Sequence, residues 1–455
     1  MTTIGLLTIV LAAGKGTRMQ SARPKVLHPI GGLSMLGHVL KLARAVGCQE
    51  HAVVIGPGME SVRAEVSRLS PDAAVYVQTE QRGTADAVLA ARTRLRDHGG
   101  DVLVLYGDTP LLTAGTIGRL REALDSGASV AVLGFEAGDP AGYGRLILGV
   151  DGDLAAIRED SDARGQERSI RFCNSGVLAF RCRNLVGILD RIRSDNANGE
   201  FYLTDAVEIA RGDGLKTVAV GCEESEVLGI NSRQQLAQAE AIFQDRARRH
   251  AMAAGATLIS PETVWFSHDT VVGRDVTIEP NVFFGPGVNV DDDVIIHANC
   301  HITEATIARG AEVGPFARLR PGADIGENVH IGNFVEVKNT RLDRGAKANH
   351  LAYLGDASVG AGANIGAGTI FCNYDGFNKT RTEIGAGAFI GSNSSLVAPV
   401  RIGDGAYIGS GSVITRDVES NALALERNEQ TVKPGWAEKF RTLMRRQKER
   451  AKASG

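Results

Sequence analysis

From Val272 to Ile302 the chain reads VGRDVT, IEPNVF, FGPGVN, VDDDVI, IHANCH and I, and each six-residue block opens on an apolar side chain. Val272, Ile278, Phe284, Val290, Ile296 and Ile302 carry that beat. After a one-residue slip it resumes at Ile307, Val313, Leu319, Ile325, Ile331 and Val337, then at Leu342, Ala348 and Leu354, then at Val359, Ile365 and Phe371. A last run goes from Ile384 through Ile390, Leu396, Ile402 and Ile408 to Ile414. An α-helix repeats near 3.6 residues and a strand at two, so neither produces a period of six. Short strands joined by turns at every sixth residue do produce it, stacking into a prism with one apolar residue per side pointing at the axis.

Hexapeptide repeats of this kind resemble the left-handed parallel β-helix, an exception to the right-handed crossover preference. The resemblance implies a homotrimer, because such a column has flat sides that suit threefold packing. A flexible glycine-rich linker would not keep so regular an apolar spacing. One insertion breaks the register, from Cys372 to Glu383, looping out Asn373-Tyr374-Asp375-Gly376. A loop on an otherwise economical solenoid is usually functional. Beyond Val418 the repeat stops, and Trp436 to Lys452 reads as a basic helical tail, a solvated helix face.

Upstream the pattern is different. Strands at Leu6–Leu11, His51–Ile55, Val75–Gln78 and Val102–Tyr106 alternate with helical segments, two of which start at Thr84 and Ala114. That order predicts an α/β domain, doubly wound and Rossmann-like, with a mostly parallel sheet. Ser232 to Ala253, rich in Ala, Gln, Glu and Arg without Gly or Pro, reads as a connecting helix. The expected domains are therefore 1–231, a linker helix 232–253, and a β-helix with its tail over 254–455.

A chain of 455 residues is long enough for two cores. Its 50 Lys and Arg nearly balance 53 Asp and Glu, so the net charge of -3 gives no pull toward nucleic acid or an anionic surface. The apolar run Ile4–Ala13 is short and lacks a basic lead, and no other run approaches a membrane span, so a cytoplasmic protein is expected. The six cysteines at 48, 173, 182, 222, 300 and 372 are scattered and read as reduced thiols. His297, Cys300 and His301 lie close together, but no fourth ligand with metal-site spacing accompanies them.

Two stretches carry chemistry. In the first, Gly14-Lys15-Gly16-Thr17-Arg18 follows a strand and leads into an expected helix, offering backbone N–H groups and a cation to a phosphate. It lacks the third glycine of a dinucleotide fingerprint and the Gly-Lys-Ser/Thr order of a P-loop. Tyr106-Gly107-Asp108 ends a buried strand, where an open α/β sheet presents ligands, and a carboxylate there suits Mg²⁺. Leu11-Ala12-Ala13-Gly14-Lys15-Gly16-Thr17-Arg18-Met19 with Pro24-Lys25 resembles the signature of nucleoside-triphosphate sugar-1-phosphate nucleotidyltransferases. Over nearly the whole chain the resemblance is to the family of bifunctional N-acetylglucosamine-1-phosphate uridylyltransferases and glucosamine-1-phosphate acetyltransferases.

That resemblance implies site residues. Arg18 and Lys25 would offset charge as pyrophosphate leaves UTP, with Leu11 and Gly14 in the binding loop and Tyr106 beside it. Gln78, Gly83 and Thr84 would read the uracil, while Gly144, Glu159 and Asn174 would hold the acetylated sugar. Asp108 and Asn231 would be the metal ligands. Two motif positions depart from the family pattern: Ser161 stands where a lysine is usual, and Leu228 where an acid is usual.

In the second stretch, Arg318-Leu319-Arg320-Pro321-Gly322, Lys338 and His350 add charge and an imidazole that a hexad column does not require. By the resemblance, His350 is the general base toward the glucosamine 2-amine as it attacks the acetyl-CoA thioester. An ammonium has no lone pair, so that attack needs a base. Arg320, Lys338, Tyr353 and Asn364 would hold the sugar phosphate. Asn373, Tyr374, Ser392, Ser410 and Arg427 would contact acetyl-CoA. If the site forms between subunits, as the family implies, acetylation depends on trimerisation. The implied product, UDP-N-acetylglucosamine, feeds cell-envelope synthesis, both peptidoglycan and lipopolysaccharide. Two other readings fit parts of the sequence: a monofunctional pyrophosphorylase with a regulatory β-helix, and a non-catalytic scaffold. The first would be favoured by His350 lying far from any groove that admits CoA. The second is opposed by Arg18, Lys25, Asp108 and Asn231 occurring together.

Overall fold

The structure, a computed structural model, describes residues 5–48, 50–181, 183 and 185–453. Ile4 and Cys182 lie outside the described residues. The chain forms two compact units: Met1–Ala253 with Trp265–Thr270, and Ala254–Val264 with Val271–Gly455.

In the first unit, β1 (Leu6–Ala12), β2 (Glu50–Ile55), β3 (Ala74–Val77) and β4 (Asp101–Tyr106) build the parallel half of one sheet. All seven residues of β1 are buried, as befits a strand covered on both faces. The sheet continues through β5 (Val130–Glu136), a hairpin of β6 (Arg145–Leu148) and β7 (Leu154–Arg158), then β8 (Phe172–Arg181) and β9 (Thr217–Cys222). The main order is β9-β5-β8-β4-β1-β2-β3. Strand β8 runs antiparallel to both β4 and β5, so the sheet is mixed. The amphipathic helices α1 (Met35–Ala45), α2 (Glu60–Leu69), α3 (Thr84–Leu89) and α4 (Ala114–Asp125) bury Leu36, Val62, Val88 and Leu120 in two apolar clusters built around the sheet residues.

The segment after β1 differs from its sequence reading. No α-helix follows Gly16; instead Thr17–Met19 is one 3-10 turn and Lys25–Leu27 another. Gly16 is left-handed at φ 63° and Pro24 lacks an N–H, so a continuous helix cannot form before α1. The long helix α5 runs Arg233–Ala253, and the Ser232 hydroxyl accepts from the Gln235 N–H at its start (3.2 Å).

The second unit is a parallel β-helix. Val271 pairs with Asn289, Thr277 with Ile295 and Phe283 with His301, each partner eighteen positions on, which is three hexads per coil. These three pairings start three separate columns of strands, so the coil has three sides. Every apolar hexad residue from Ile278 to Ile414 is buried, while Val272 at the open end is partly exposed. At the corners the backbone turns through positive φ, mostly on Gly, Asn and Asp, the residues that bear it at least cost. The step lengthens to 25 residues at Ala357↔Thr382, Asn364↔Phe389 and Ile370↔Ser395, so the extra chain is extruded and the columns stay in phase. The extruded loop is closed by a bridge between Tyr374 and Lys379 and by Thr380 N–H to the Asn373 carbonyl (2.9 Å).

The three residues His297, Cys300 and His301 have separate surroundings. His297 donates through Nδ1 to Glu279 (3.0 Å) and through Nε2 to Glu312 (2.7 Å). Burial alone would lower its pKa, but the two carboxylates outweigh that and hold it up. Cys300 is buried, its thiol pushed up to about 11, and His301 stacks on Phe283. Among the described residues no group of three or more His, Cys, Asp or Glu side chains is placed to hold a metal ion. The five described cysteines form no disulfide. No described helix is long and apolar enough to cross a membrane.

Candidate functional site

Two cavities, of about 320 Å³ and about 530 Å³, meet at the C-terminal ends of β1 and β4 in the first unit. Thr84, Tyr106, Asp108 and Glu200 line both. The smaller also takes in Leu11, Gly14, Lys25, Gln78 and Gly83, and the larger takes in Gly144, Glu159 and Asn174. Residues quoted from distant parts of the sequence thus sort into two adjoining chambers that share the carboxylates of Asp108 and Glu200.

At the junction Lys25 is central. Its ammonium donates to Asp108 Oδ2 and to Asn231 Oδ1 (2.9 Å), and its side chain is 10% exposed. Backbone geometry makes the meeting: the Ile230 N–H donates to the Asp108 carbonyl (3.1 Å), and the Asn231 N–H to Gln235 Oε1 (2.8 Å). A carboxylate oxygen and an amide oxygen gathered on one cation are the donor set a hard divalent ion takes, with phosphates and water completing its shell. The residues therefore fit Mg²⁺. Arg18 lies exposed on the Thr17–Met19 turn and lines neither cavity.

The Gln78–Thr84 segment is held from within. Gln78 is buried and its Nε2 donates to the Gly83 carbonyl (3.0 Å) and to Asp86 (2.9 Å), leaving its own carbonyl as the free acceptor. Gly83 has φ 128°, and a Cβ there would stand 2.5 Å from the Phe201 carbonyl oxygen. Only glycine permits that approach. Phe201 in turn bonds the Arg82 carbonyl and the Ala85 N–H, so the 200–204 segment is laid against the mouth of the site.

That segment brings residues the sequence reading did not single out. Thr204 donates to Glu159 (2.8 Å), Glu200 faces both chambers, and Gln81 Nε2 bonds the Ala13 carbonyl (2.5 Å). Burial raises the Glu159 carboxyl, and it raises neighbouring Asp205 to about 6, helped by Glu208 and Glu159. A carboxyl whose folded pKa lies above its unfolded value stabilises the fold at low pH, and that contribution is lost as pH rises through about 6. Asp205→Asn removes the burden. With solvent screening discounting the effect to about 1 kcal/mol, the variant's first-unit melting point should rise roughly 2–4 °C at pH 7.5 and clearly less at pH 4.5, which lies between the unfolded and folded values. Thermal unfolding at the two pH values checks this; equal shifts would contradict it.

In the second unit the pairings Ile331↔Ala348, Ala348↔Ile365, Ile365↔Ile390 and Ile390↔Ile408 fix one column. Two residues further along each rung stand Asn333, His350, Ala367, Ser392 and Ser410, one above another on a single edge. His350 is exposed, and its Nδ1 donates to Asn333 Oδ1 (2.7 Å). An amide oxygen only accepts, so Nδ1 carries a proton, and in the neutral ring the lone pair is on Nε2. Gly332 lets the coils approach here: a Cβ on it would stand 1.9 Å from the Asn349 carbonyl. Leu351, next to His350, turns the corner at φ 50°. Arg427 reaches this edge by donating to the Ser410 carbonyl (2.9 Å).

Round that corner, on the next side, Arg320 donates to Glu336 (2.7 Å) and Lys338 to Asp356 (3.2 Å). Tyr353 pairs with Glu336 on that side, whereas Asn364 pairs with Lys347 back in the column that carries His350. Asn373 is buried at the root of the extruded loop, while Tyr374 is exposed and bonds the Gly376 carbonyl (2.5 Å). The structure thus gathers the implied phosphate cations on one side, and the imidazole with the two serines on the edge beside it. Asn333, Glu336 and Asp356, which hold these groups, had no mark in the sequence other than their hexad phase.

Known proteins agree with this division. The model for MobA-like NTP transferase domains matches residues 8–175, and that for bacterial transferase hexapeptides, six repeats, matches 304–339 and 381–416. Curated proteins named bifunctional protein GlmU are similar along the chain. The one from Azorhizobium caulinodans is 63% identical over 436 residues, covering 96% of this chain and 97% of its own. That from Xanthobacter autotrophicus is 58% identical with the same coverage, and that from a Bradyrhizobium species is 58% identical over 448 residues, 98% and 100% of the two chains.

Proposed function

Since the chain belongs to the family of bifunctional GlmU proteins, we propose how its two units divide the work. The protein is a bifunctional enzyme, acetylating glucosamine-1-phosphate with acetyl-CoA and then transferring uridylyl from UTP to the N-acetylated sugar phosphate. The products are UDP-N-acetylglucosamine and pyrophosphate. The observation that carries the two-site reading is that each unit holds its own constellation: Lys25 with Asp108 and Asn231 in one, His350 with Asn333 beside Lys338 in the other.

For acetyl transfer, the amine nitrogen attacks the thioester carbonyl carbon as His350 Nε2 takes its proton. The C–S bond breaks and coenzyme A leaves, regaining a proton as free thiol. Asn333 keeps the imidazole in the tautomer this requires. Arg320 and Lys338 receive the sugar phosphate, with Tyr353 and Asn364 beside it. Asn373, Tyr374, Ser392, Ser410 and Arg427 serve the acetyl-CoA, whose length follows the column edge. A homotrimer belongs to the same reading, supported by the hexapeptide sides, with a neighbouring subunit closing the edge on which His350 stands. So does residence in the cytoplasm.

For uridylyl transfer, a sugar-phosphate oxygen attacks the α-phosphorus of UTP in line, and the bond to pyrophosphate breaks. Lys25 and Arg18 offset the departing charge, with Arg18 swinging in from its exposed turn. Leu11, Gly14, Gln78, Gly83 and Thr84 take the nucleotide, and Tyr106, Gly144, Glu159 and Asn174 the sugar. Asp108 and Asn231 would hold Mg²⁺, which when bound neutralises charge on the phosphoryl oxygens. Lys25, now between those two oxygens, would turn to the phosphates.

The test incubates the full chain with glucosamine-1-phosphate, acetyl-CoA, UTP and Mg²⁺, following free thiol and pyrophosphate separately. Both should appear, with thiol release independent of UTP and pyrophosphate release dependent on acetyl-CoA. Absence of thiol release from glucosamine-1-phosphate and acetyl-CoA, with pyrophosphate still formed from UTP and pre-acetylated sugar, would instead establish the monofunctional pyrophosphorylase.

A further inference from the structure

The carboxylate of Asp356 gathers three donors. Oδ2 accepts from the Lys338 ammonium (3.2 Å) and from Asn373 Nδ2, and Oδ1 accepts from Asn339 Nδ2 (2.7 Å). Its side chain is 13% exposed, and the donors, two of them uncharged, hold its pKa down against burial. At φ 52° Asp356 occupies a corner position, directly above Asn339 at φ 44° in the coil before. Corner duty alone explains why an Asp or Asn stands here. It does not explain a carboxylate that joins a lysine on the coil before it to the root of the extruded loop on the coil after it.

Resting on the assignment of Lys338 to the sugar phosphate and Asn373 to acetyl-CoA, we propose that Asp356 is a positioning residue that sets both subsites of acetyl transfer at once. It aims the Lys338 ammonium, whose other two N–H bonds remain for phosphate, and it pins the loop at Asn373. The next anchor of the loop, the Asn373 carbonyl with Thr380, depends on that pin. Misplacing either group by about an ångström is enough to cost up to a hundredfold in rate.

The experiment uses the full chain with Asp356→Asn, Asn373→Ala and the two combined, alongside His350→Ala. Asp356→Asn should lower acetyl-transfer kcat/KM by about tenfold or more, raising KM for glucosamine-1-phosphate as well as lowering kcat, whereas His350→Ala should lower kcat alone. Uridylyl transfer should stay within about twofold of the parent. The double variant should be little worse than the worse single one, since both break one contact. Should Asp356→Asn melt early, Lys338→Met tests the same pair from its other end and should raise KM for the sugar phosphate without disturbing that for acetyl-CoA. Unchanged acetyl transfer in Asp356→Asn, or losses that simply multiply in the double variant, overturn the proposal. If His350→Ala also retains acetyl transfer, the reading of the whole site falls; if it does not, only the role of Asp356 falls.

Discussion

Replacing His350 by alanine should cut release of thiol from acetyl-CoA by about 10²–10⁴-fold, the range for loss of a general base. Pyrophosphate release from UTP and pre-acetylated sugar should be unchanged. The expectation rests on placement: the ring is exposed on the column edge, so its removal leaves no cavity in the apolar axis, and its Nδ1 is occupied by Asn333, so only Nε2 is available for proton transfer. A fall in kcat with KM for glucosamine-1-phosphate preserved would separate a base from a binding group. Asn333→Ala should act in the same direction but more weakly, because the ring remains and only its tautomer is freed. Thiol release within threefold of the parent in His350→Ala would place the base elsewhere.

The second large effect is at the other site. Asp108→Asn keeps the shape of the side chain and removes one negative charge from the point where the two cavities meet. Pyrophosphate formation should fall on the order of 10³-fold, comparable with removing a principal electrostatic contact to a reacting group. Lys25 then keeps only neutral partners, and one of the two oxygens suited to a divalent ion loses its charge. Asparagine is the better probe than alanine, since truncation would strand a mostly buried ammonium and add a stability cost to the catalytic one. Acetyl transfer should be untouched. Loss of both activities in either variant would contradict two independent sites.

The column could be read from sequence because its driving force is periodic: one buried apolar residue per hexad, with Asn, Asp or Gly at the turns. Those positions from Ile278 to Ile414 all point inward. The loop motif around Gly14 and Lys25 was legible as chemistry, but not as local structure. The helix expected there is a pair of 3-10 turns, since Gly16 and Pro24 break what propensity would continue. The antiparallel insertion of β8 between β4 and β5 could not be read either, because an apolar strand carries no mark of its direction. Asn333, Glu336, Asp356, Glu200 and Thr204 escaped for a common reason. Each acts on a group distant along the chain, about one coil away for Asn333, Glu336 and Asp356, 45 residues for Thr204 against Glu159, and more than a hundred for Glu200 beside Thr84, and single-sequence patterns record neighbours along the chain.

The edge bearing Asn333, His350, Ala367, Ser392 and Ser410 is graduated in whole coils of about 4.8 Å, the spacing of hydrogen-bonded strands. From the imidazole to Ser392 is two divisions and to Ser410 three. Along such a scale a point substitution alters what stands at a mark, but no point substitution can move the mark. The reach between the reacting bond and the far end of an acyl carrier is therefore quantised, and tuning it to a longer or shorter thioester arm requires gaining or losing a complete turn of the spiral.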